Sequence, residues 1–279
     1  MRTLSQNDYQ VQSVQRAFEI LFAFSIETPL LGSSDLARML GINRTTVHRL
    51  LATLESCGAV RQEPLSRKYA LSPRLLQLSN VVLRSSDIRA VSIGPLTRLR
   101  NSTDETAALH IREGQARIMF MQIESSQELR ATYPRVGEPI PLHLGAPSKA
   151  VLASMEAVEV EEYVRATPLT GATPFSFTER EALLDELARI RERGYAVSRQ
   201  ERRVGIASLA APVFDATGVV VAAINIIGPL DRLREPELEA LAPLVIETAR
   251  EVSHALGYSD AAGEARMEGG KQAAAFDAG

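Results

Sequence analysis

Residues 34–57 read SDLARMLGINRTTVHRLLATLESC, and their periodicity decides the N-terminal fold. Leu36, Ala37 and Leu40 share one helical face, with Ser33 or Ser34 placed to cap it and Gly41 placed to end it in a left-handed turn. A second helix runs from about Asn43 to about Cys57, stopped by Gly58. Projected at about 100° per residue, Val47, Leu50, Leu51 and Leu54 gather on one side. Thr45, Arg49 and Ala52 fall nearly opposite, flanked by Thr46, His48 and Thr53. Two short helices joined at a glycine are the parts of a helix-turn-helix, whose second helix enters a major groove.

The outward residues suit base edges and phosphates. Arginine forks onto guanine, threonine donates or accepts, and a methyl group meets thymine. Asn43 and Arg44 stand at the helix start, where base contacts of this motif concentrate. A lone helix of this pattern reads first as a plain amphipathic helix with a solvated face; its neighbours overturn that reading. Before it, Val14, Ala17, Phe18, Leu21 and Phe22 mark a helix capped by Ser13 and broken by Pro29 and Gly32. After it, residues 59–62 and 67–71 flank a turn at Pro64 to Ser66, a β-hairpin that carries Arg67 and Lys68 over the sugar-phosphate backbone as a wing. The candidate DNA contacts are therefore Asn43, Arg44, Thr45, Thr46, His48, Arg49, Thr53, Arg67 and Lys68.

Charge is divided along the chain. Residues 1–85 hold 10 Lys/Arg against 6 Asp/Glu, whereas residues 86–279 hold 21 against 28. A basic N-terminal piece on an acidic body suits a DNA-binding module attached to something else. The length, 279 residues, accommodates two cores. No apolar run reaches the roughly 18–20 residues that span a bilayer, and the start lacks a signal-peptide core, so cytoplasmic residence and no membrane partner are expected. The lone cysteine, Cys57, excludes an intrachain disulfide and reads as a small buried apolar residue.

The organisation expected is a flexible lead-in (1–10), a winged helix-turn-helix (11–72), a helical linker (73–101), a larger domain (102–258) and a disordered tail (259–279). In the linker, Leu75, Leu76, Leu78 and Val82 read as residues that pack across a dimer. In the larger domain, strands are expected at 106–111, 117–123, 195–199, 208–214 and 219–227, with a further one at 129–133. Helices are expected near Pro147, over 157–165, over 178–193 with Thr178 and Glu181 as a capping box, and over 236–257.

These stretches resemble the IclR family of bacterial regulators. The matching runs are SVQRAFEIL (13–21), LARMLGINRTTVHRLLATLESCGAV (36–60), KYALSPRLLQL (68–78), PLHLGAPSKAVLA (141–153) and the long run from Arg191 to Pro229. The resemblance implies an α+β chain: an N-terminal winged helix-turn-helix, a helical linker and a C-terminal GAF-like α/β effector-binding domain. It implies a repressor or activator that works as a homodimer or tetramer on a palindromic operator of double-stranded DNA, sensing a small organic acid or aromatic metabolite. It further implies an effector pocket formed by Ala146, Pro147 and Ser148 at a helix start and by Ser198, Ile206, Ser208, Asn225 and Ile227 on or beside the last strands. Ser198 stands where some members carry an acidic residue, and Ser148 where glycine is usual.

From the residues alone, Ser208 and Asn225 need partners if buried, from backbone or from ligand. Lys149 reads as a salt-bridge partner and Glu201 as a structural hydrogen-bonding residue, while His110, His143 and His254 read as packing or surface residues. Two rival functions exist: a sensor acting through protein partners without DNA, and a hydrolytic enzyme. Nucleophile-elbow and H-E-x-x-H motifs are absent from the sequence, so no catalytic residue, cofactor or metal is expected.

Overall fold

The computed structural model describes residues 11–78, 81, 87–133 and 136–259. The expectations for the lead-in, for Val82 and for nearly all of the tail lie outside the described residues. The chain forms two compact units, Met1–Ser85 and Ser86–Gly279. That division falls inside the stretch read as a linker.

In the first unit, α1 (Gln12–Phe22), α2 (Ser33–Leu40) and α3 (Arg44–Ser56) precede a hairpin of β1 (Val60–Gln62) and β2 (Tyr69–Leu71). Ile20, Leu36, Val47 and Leu51 are fully buried at its centre. Each such side chain contributes about 1.5–3 kcal/mol by leaving water. Tyr69 closes the core through a two-way backbone exchange with Leu31. Gly41 takes φ 64° at the end of α2, the left-handed turn that lets α3 start in a new direction.

The expected caps are not the observed ones. α1 starts after Val11, with Ser13 already inside its first turn. α2 starts after Gly32, so Ser33 and Ser34 are helical, and Asp35 takes over by accepting the Gly32 N–H at 3.2 Å. That places a carboxylate at the positive end of the helix dipole. Cys57 is exposed, not buried, because it lies beyond the last inward position of α3.

The second unit is a six-stranded antiparallel sheet in the order β5-β4-β3-β8-β7-β6. Its strands are β3 (Thr106–Glu113), β4 (Ala116–Ile123), β5 (Pro139–Pro141), β6 (Ala196–Arg199), β7 (Ile206–Phe214) and β8 (Val220–Pro229). α4 (Asp87–Thr103) and α8 (Glu235–Ala255) pack together, joined at the surface by Arg98 and Glu251 at 2.6 Å, and cover one face of the sheet. α5 (Ala146–Ala153), α6 (Ala157–Ala166) and α7 (Arg180–Arg193) share a core with Ala210 and Ala223 on the other face.

Prolines mark this sheet's edges. β5, not foreseen from its two prolines, is an edge strand that pairs only with β4, at Arg117 opposite Ile140. Pro212 of β7 lies beyond Ala210, the last residue that β6 pairs, so its missing N–H costs no ladder bond. The strand expected at 129–133 does not form. The Gln122 side chain accepts the Tyr133 N–H at 3.0 Å and donates to its carbonyl at 3.3 Å, so a side chain takes the place of a strand partner. α7 begins at Arg180 after Glu179, so Thr178 lies one residue before the N-cap and the expected capping box with Glu181 does not form.

Candidate functional site

In the first unit, the outward face of α3 is open. Asn43, Arg44, Thr45, His48, Arg49 and Thr53 are exposed and Thr46 is half-buried, while Val47, Leu51 and Leu54 turn inward. Two of these residues are partly committed to the helix itself. The Asn43 side chain accepts the Thr45 N–H at 2.8 Å as the N-cap, and the Thr53 hydroxyl donates to the Arg49 carbonyl at 3.0 Å. Arg44, Thr45, His48 and Arg49 therefore offer the least encumbered groups on this face. Arg67 and Lys68 are exposed at the hairpin, where Arg67 adopts φ 57° and the Glu63 N–H donates to the Lys68 carbonyl at 2.8 Å.

The second unit contains a cavity of about 200 Å³ on the α5 side of the sheet. Of the residues that the sequence pointed to, Ala146, Pro147, Ser198, Ile206, Ser208 and Ile227 line it. Ser148 and Asn225 stand just behind the wall. Ser148 Oγ accepts from Arg117 Nε at 2.7 Å, and Asn225 Nδ2 donates to Ser208 Oγ and to the Tyr133 hydroxyl, both at 2.9 Å. Ser208 donates in turn to the Ile226 carbonyl at 2.9 Å, so its hydrogen is held by backbone while a lone pair remains.

Sequence reasoning missed the charged part of this wall: Arg117, Arg202, Arg203 and Glu138 also line the cavity. Arg117 is buried to 1% exposure, and burial draws its pKa down to about 10, which leaves it protonated at neutral pH. Its Nη1 lies 2.5 Å from His110 Nδ1. His110 is fully buried, and burial, reinforced by the Arg117 charge, holds its pKa well below the ordinary imidazole value. The imidazole is therefore neutral, accepts at Nδ1 and carries its hydrogen on Nε2, with the Asn225 side chain nearby but beyond ordinary hydrogen-bond length. Asn225 Oδ1 is likewise buried without a partner. One signal for Arg117 was available, since it shares one phase of β4 with Met119.

Lys149, next to Ser148, serves a different cluster. Its Nζ donates to Glu201 Oε1 at 2.7 Å and to the Val197 carbonyl at 2.8 Å, lies 3.4 Å from Glu186 Oε1, and sits 4.6 Å over the Phe177 ring. Burial pushes the Glu201 carboxyl up, the Lys149 charge opposing it. Burial acts the same way on Glu186, but Lys149, Arg193 and Arg189 outweigh it and hold that carboxyl down. The cluster ties α5 to the segment that carries Arg202 and Arg203. His143 is also built in: its Nδ1 lies 2.8 Å from the Tyr163 hydroxyl and its Nε2 3.1 Å from the Thr170 carbonyl.

Among the described residues, no group of three or more His, Cys, Asp or Glu is arranged to hold a metal ion. Among them, too, no helix is long and apolar enough to cross a membrane.

Comparison with known proteins gives these two features a common context. Residues 13–64 match the model of the IclR helix-turn-helix domain, and residues 80–254 match that of the bacterial transcriptional regulator IclR C-terminal domain. The HTH-type transcriptional regulator XynR of Escherichia coli is 32% identical over 248 residues, spanning 89% of this chain and 98% of its own. The DNA-binding transcriptional repressor YiaJ of Escherichia coli is 33% identical over 246 residues, covering 86% and 85%. An IclR transcriptional regulator from Alicyclobacillus acidocaldarius superposes with a TM-score of 0.80 at 28% identity, covering 89% of this chain and 100% of its own. These relatives are regulators rather than enzymes, and the chain belongs to the IclR family of DNA-binding, ligand-responsive transcription regulators.

Proposed function

We propose that this regulator is a repressor of a catabolic operon, released from its operator by a small organic acid or aromatic metabolite bound in the cavity of the second unit. The observation that carries the effector class is Arg117, a buried cation on the cavity wall whose side-chain hydrogen bonds go to the uncharged Ser148 and His110. A buried charge is stable only when paired, and a ligand anion supplies the pair. The repressor assignment draws on relatives such as YiaJ, which is named a repressor.

On the DNA side, Thr45, His48 and Arg49 read base edges, Asn43, Arg44, Thr46 and Thr53 support them, and Arg67 and Lys68 hold the backbone. The operator is palindromic and the protein binds it as a homodimer or a pair of dimers. Exposed apolar residues support self-association: a stripe of Val14, Phe18 and Phe22 along α1, and Leu76, Leu78 and Val81 after the hairpin. The effector shifts operator affinity by its preference for one arrangement of the protein over another.

A mobility-shift titration on the DNA upstream of the chain's own gene tests this reading. A specific, salt-sensitive complex that dissociates on adding a metabolite of the regulated pathway is the expected result. A complex strengthened by that metabolite reverses the repressor assignment, and the absence of any specific complex removes the operator assignment.

A further inference from the structure

We propose that Tyr133 contacts the effector directly, its phenol donating a hydrogen bond to the carboxylate that Arg117 attracts, and that Asn225 is the positioning residue which points that hydrogen into the cavity. This rests on the reading of the cavity as the site of an acid and adds the residue that reads the acid group.

The direction of the phenol follows from a chain of fixed donors. Arg117 Nη1 can only donate, so His110 Nδ1 accepts and the imidazole keeps its hydrogen on Nε2. The Asn225 side chain faces that N–H, which turns its amide so that Oδ1 looks toward His110 and Nδ2 away from it. Nδ2 then donates to the Tyr133 hydroxyl and to Ser208 Oγ, both at 2.9 Å. The phenol oxygen is thus an acceptor toward Asn225, and its own hydrogen goes elsewhere. No described residue takes that hydrogen, since the one side-chain hydrogen bond of Tyr133 is the one it accepts. An unspent hydroxyl donor on a cavity wall is satisfied by an occupant that accepts.

Position is the second support. Tyr133 and Ser208 both line the cavity, and their oxygens share one Nδ2 partner, so the hydroxyl end of the ring belongs to the same stretch of wall. Arg117 lines it too, with Cζ 5.9 Å from the Tyr133 ring centroid. The phenol oxygen lies within electrostatic reach of that guanidinium, whose charge an ionised phenol would support. A carboxylate resting on Arg117 therefore finds a second donor beside it, and the two together prefer a group that only accepts. The ring is also held in advance. It stands edge-on to His110 with 4.6 Å between centroids, and the Gln122 side chain clamps its backbone at 3.0 and 3.3 Å although it belongs to no strand. A donor fixed before the ligand arrives costs little ordering on binding.

The chain contains six tyrosines and no tryptophan, so tyrosine dominates its near-ultraviolet spectrum. The test titrates the full-length protein with sodium benzoate, phenylacetate and butyrate, followed by calorimetry and tyrosine difference spectroscopy. Saturable binding of at least one acid is expected, with a red-shifted tyrosine difference spectrum that grows with occupancy as the phenol donates to the carboxylate. Tyr133→Phe keeps the ring against His110 and leaves Asn225 Nδ2 its bonds to Ser208 and to the Ile226 carbonyl, so it is expected to fold normally. In this variant the same acid is expected to bind more weakly by about tenfold, and the difference spectrum to vanish. Asn225→Asp sets an acceptor opposite the phenol, so the red shift is expected before any ligand is added and is not enlarged by it. No saturable binding by any of these acids, undiminished affinity or a persisting difference spectrum in Tyr133→Phe, or an unshifted spectrum in ligand-free Asn225→Asp overturns the assignment. Operator binding measured on the same preparations separates this from the broader reading. An acid that releases the operator equally well from the wild type and from Tyr133→Phe leaves the repressor reading standing and this one fallen. Acid binding that needs the phenol, with operator affinity unchanged by the acid, does the reverse.

Discussion

Arg117 and His110 form a buried cation–imidazole pair, with the guanidinium Nη1 donating to Nδ1 across 2.5 Å. The pair is stable only while the imidazole stays neutral, because a second positive charge at that distance in a dry interior is strongly repulsive. Unfolded, the same histidine takes up a proton near its ordinary value of 6.5.

The pH dependence of stability follows. The folded pKa of His110 is depressed, so the unfolded chain binds more protons below pH 6.5 and stability is lost as the pH falls from there. His143, depressed mainly by burial, acts in the same direction. Glu201, raised by burial, acts in the opposite direction, contributing most at low pH and losing that contribution as pH rises through its folded value. Urea unfolding between pH 7 and pH 5 is expected to show falling stability. His110→Gln is expected to flatten that slope by up to about 1.4 kcal/mol per pH unit. An unchanged slope in the variant would mean that His110 is not the titrating group.

On the DNA face, Arg49→Ala is expected to cost about 1–3 kcal/mol on the specific site and little on random DNA. Equal losses on both would reassign Arg49 to a phosphate. Lys68→Ala is expected to weaken binding to all sequences and to lower the salt slope by about one unit, measured by mobility shift at several salt concentrations.

Removing the Lys149 charge strands the buried Glu201 carboxylate, while Glu186 keeps Arg189 and Arg193. Lys149→Met is expected to destabilise the second unit by about 3–5 kcal/mol, read from chemical unfolding, and adding Glu201→Gln is expected to recover part of the loss. A double variant no better than the single one would show that the cost comes from lost packing over Phe177 instead.

Gly145 precedes α5 at φ 86° and ψ 166°, a conformation nearly confined to glycine. Gly145→Ala is expected to cost about 1–3 kcal/mol of stability. It is also expected to weaken ligand binding, since the new methyl faces Arg117 Nη2. Thermal unfolding with and without ligand checks both effects.

The helix-turn-helix was legible because its signal is local: a three-to-four residue apolar period, one glycine and a hairpin, all within adjacent turns. Most strands of the second unit were legible for the same reason. The caps of α1 and α2 were misplaced by one or two residues, since several polar residues compete for one position and packing chooses among them. Wall positions such as Ser208 and Ile206 came from family resemblance, whereas Arg117 did not. Its role depends on His110 from the neighbouring strand and on Ser148 from a helix 31 residues away. That is a fact of tertiary assembly which no window of sequence holds.

Ser148 and Lys149 are consecutive residues whose side chains leave α5 in different directions, one to Arg117 and the other to Glu201. Arg202, the next residue after Glu201, lines the same cavity as Arg117. Two parts of the chamber wall are thus riveted to the same turn of helix, and tightening one rivet loads the other.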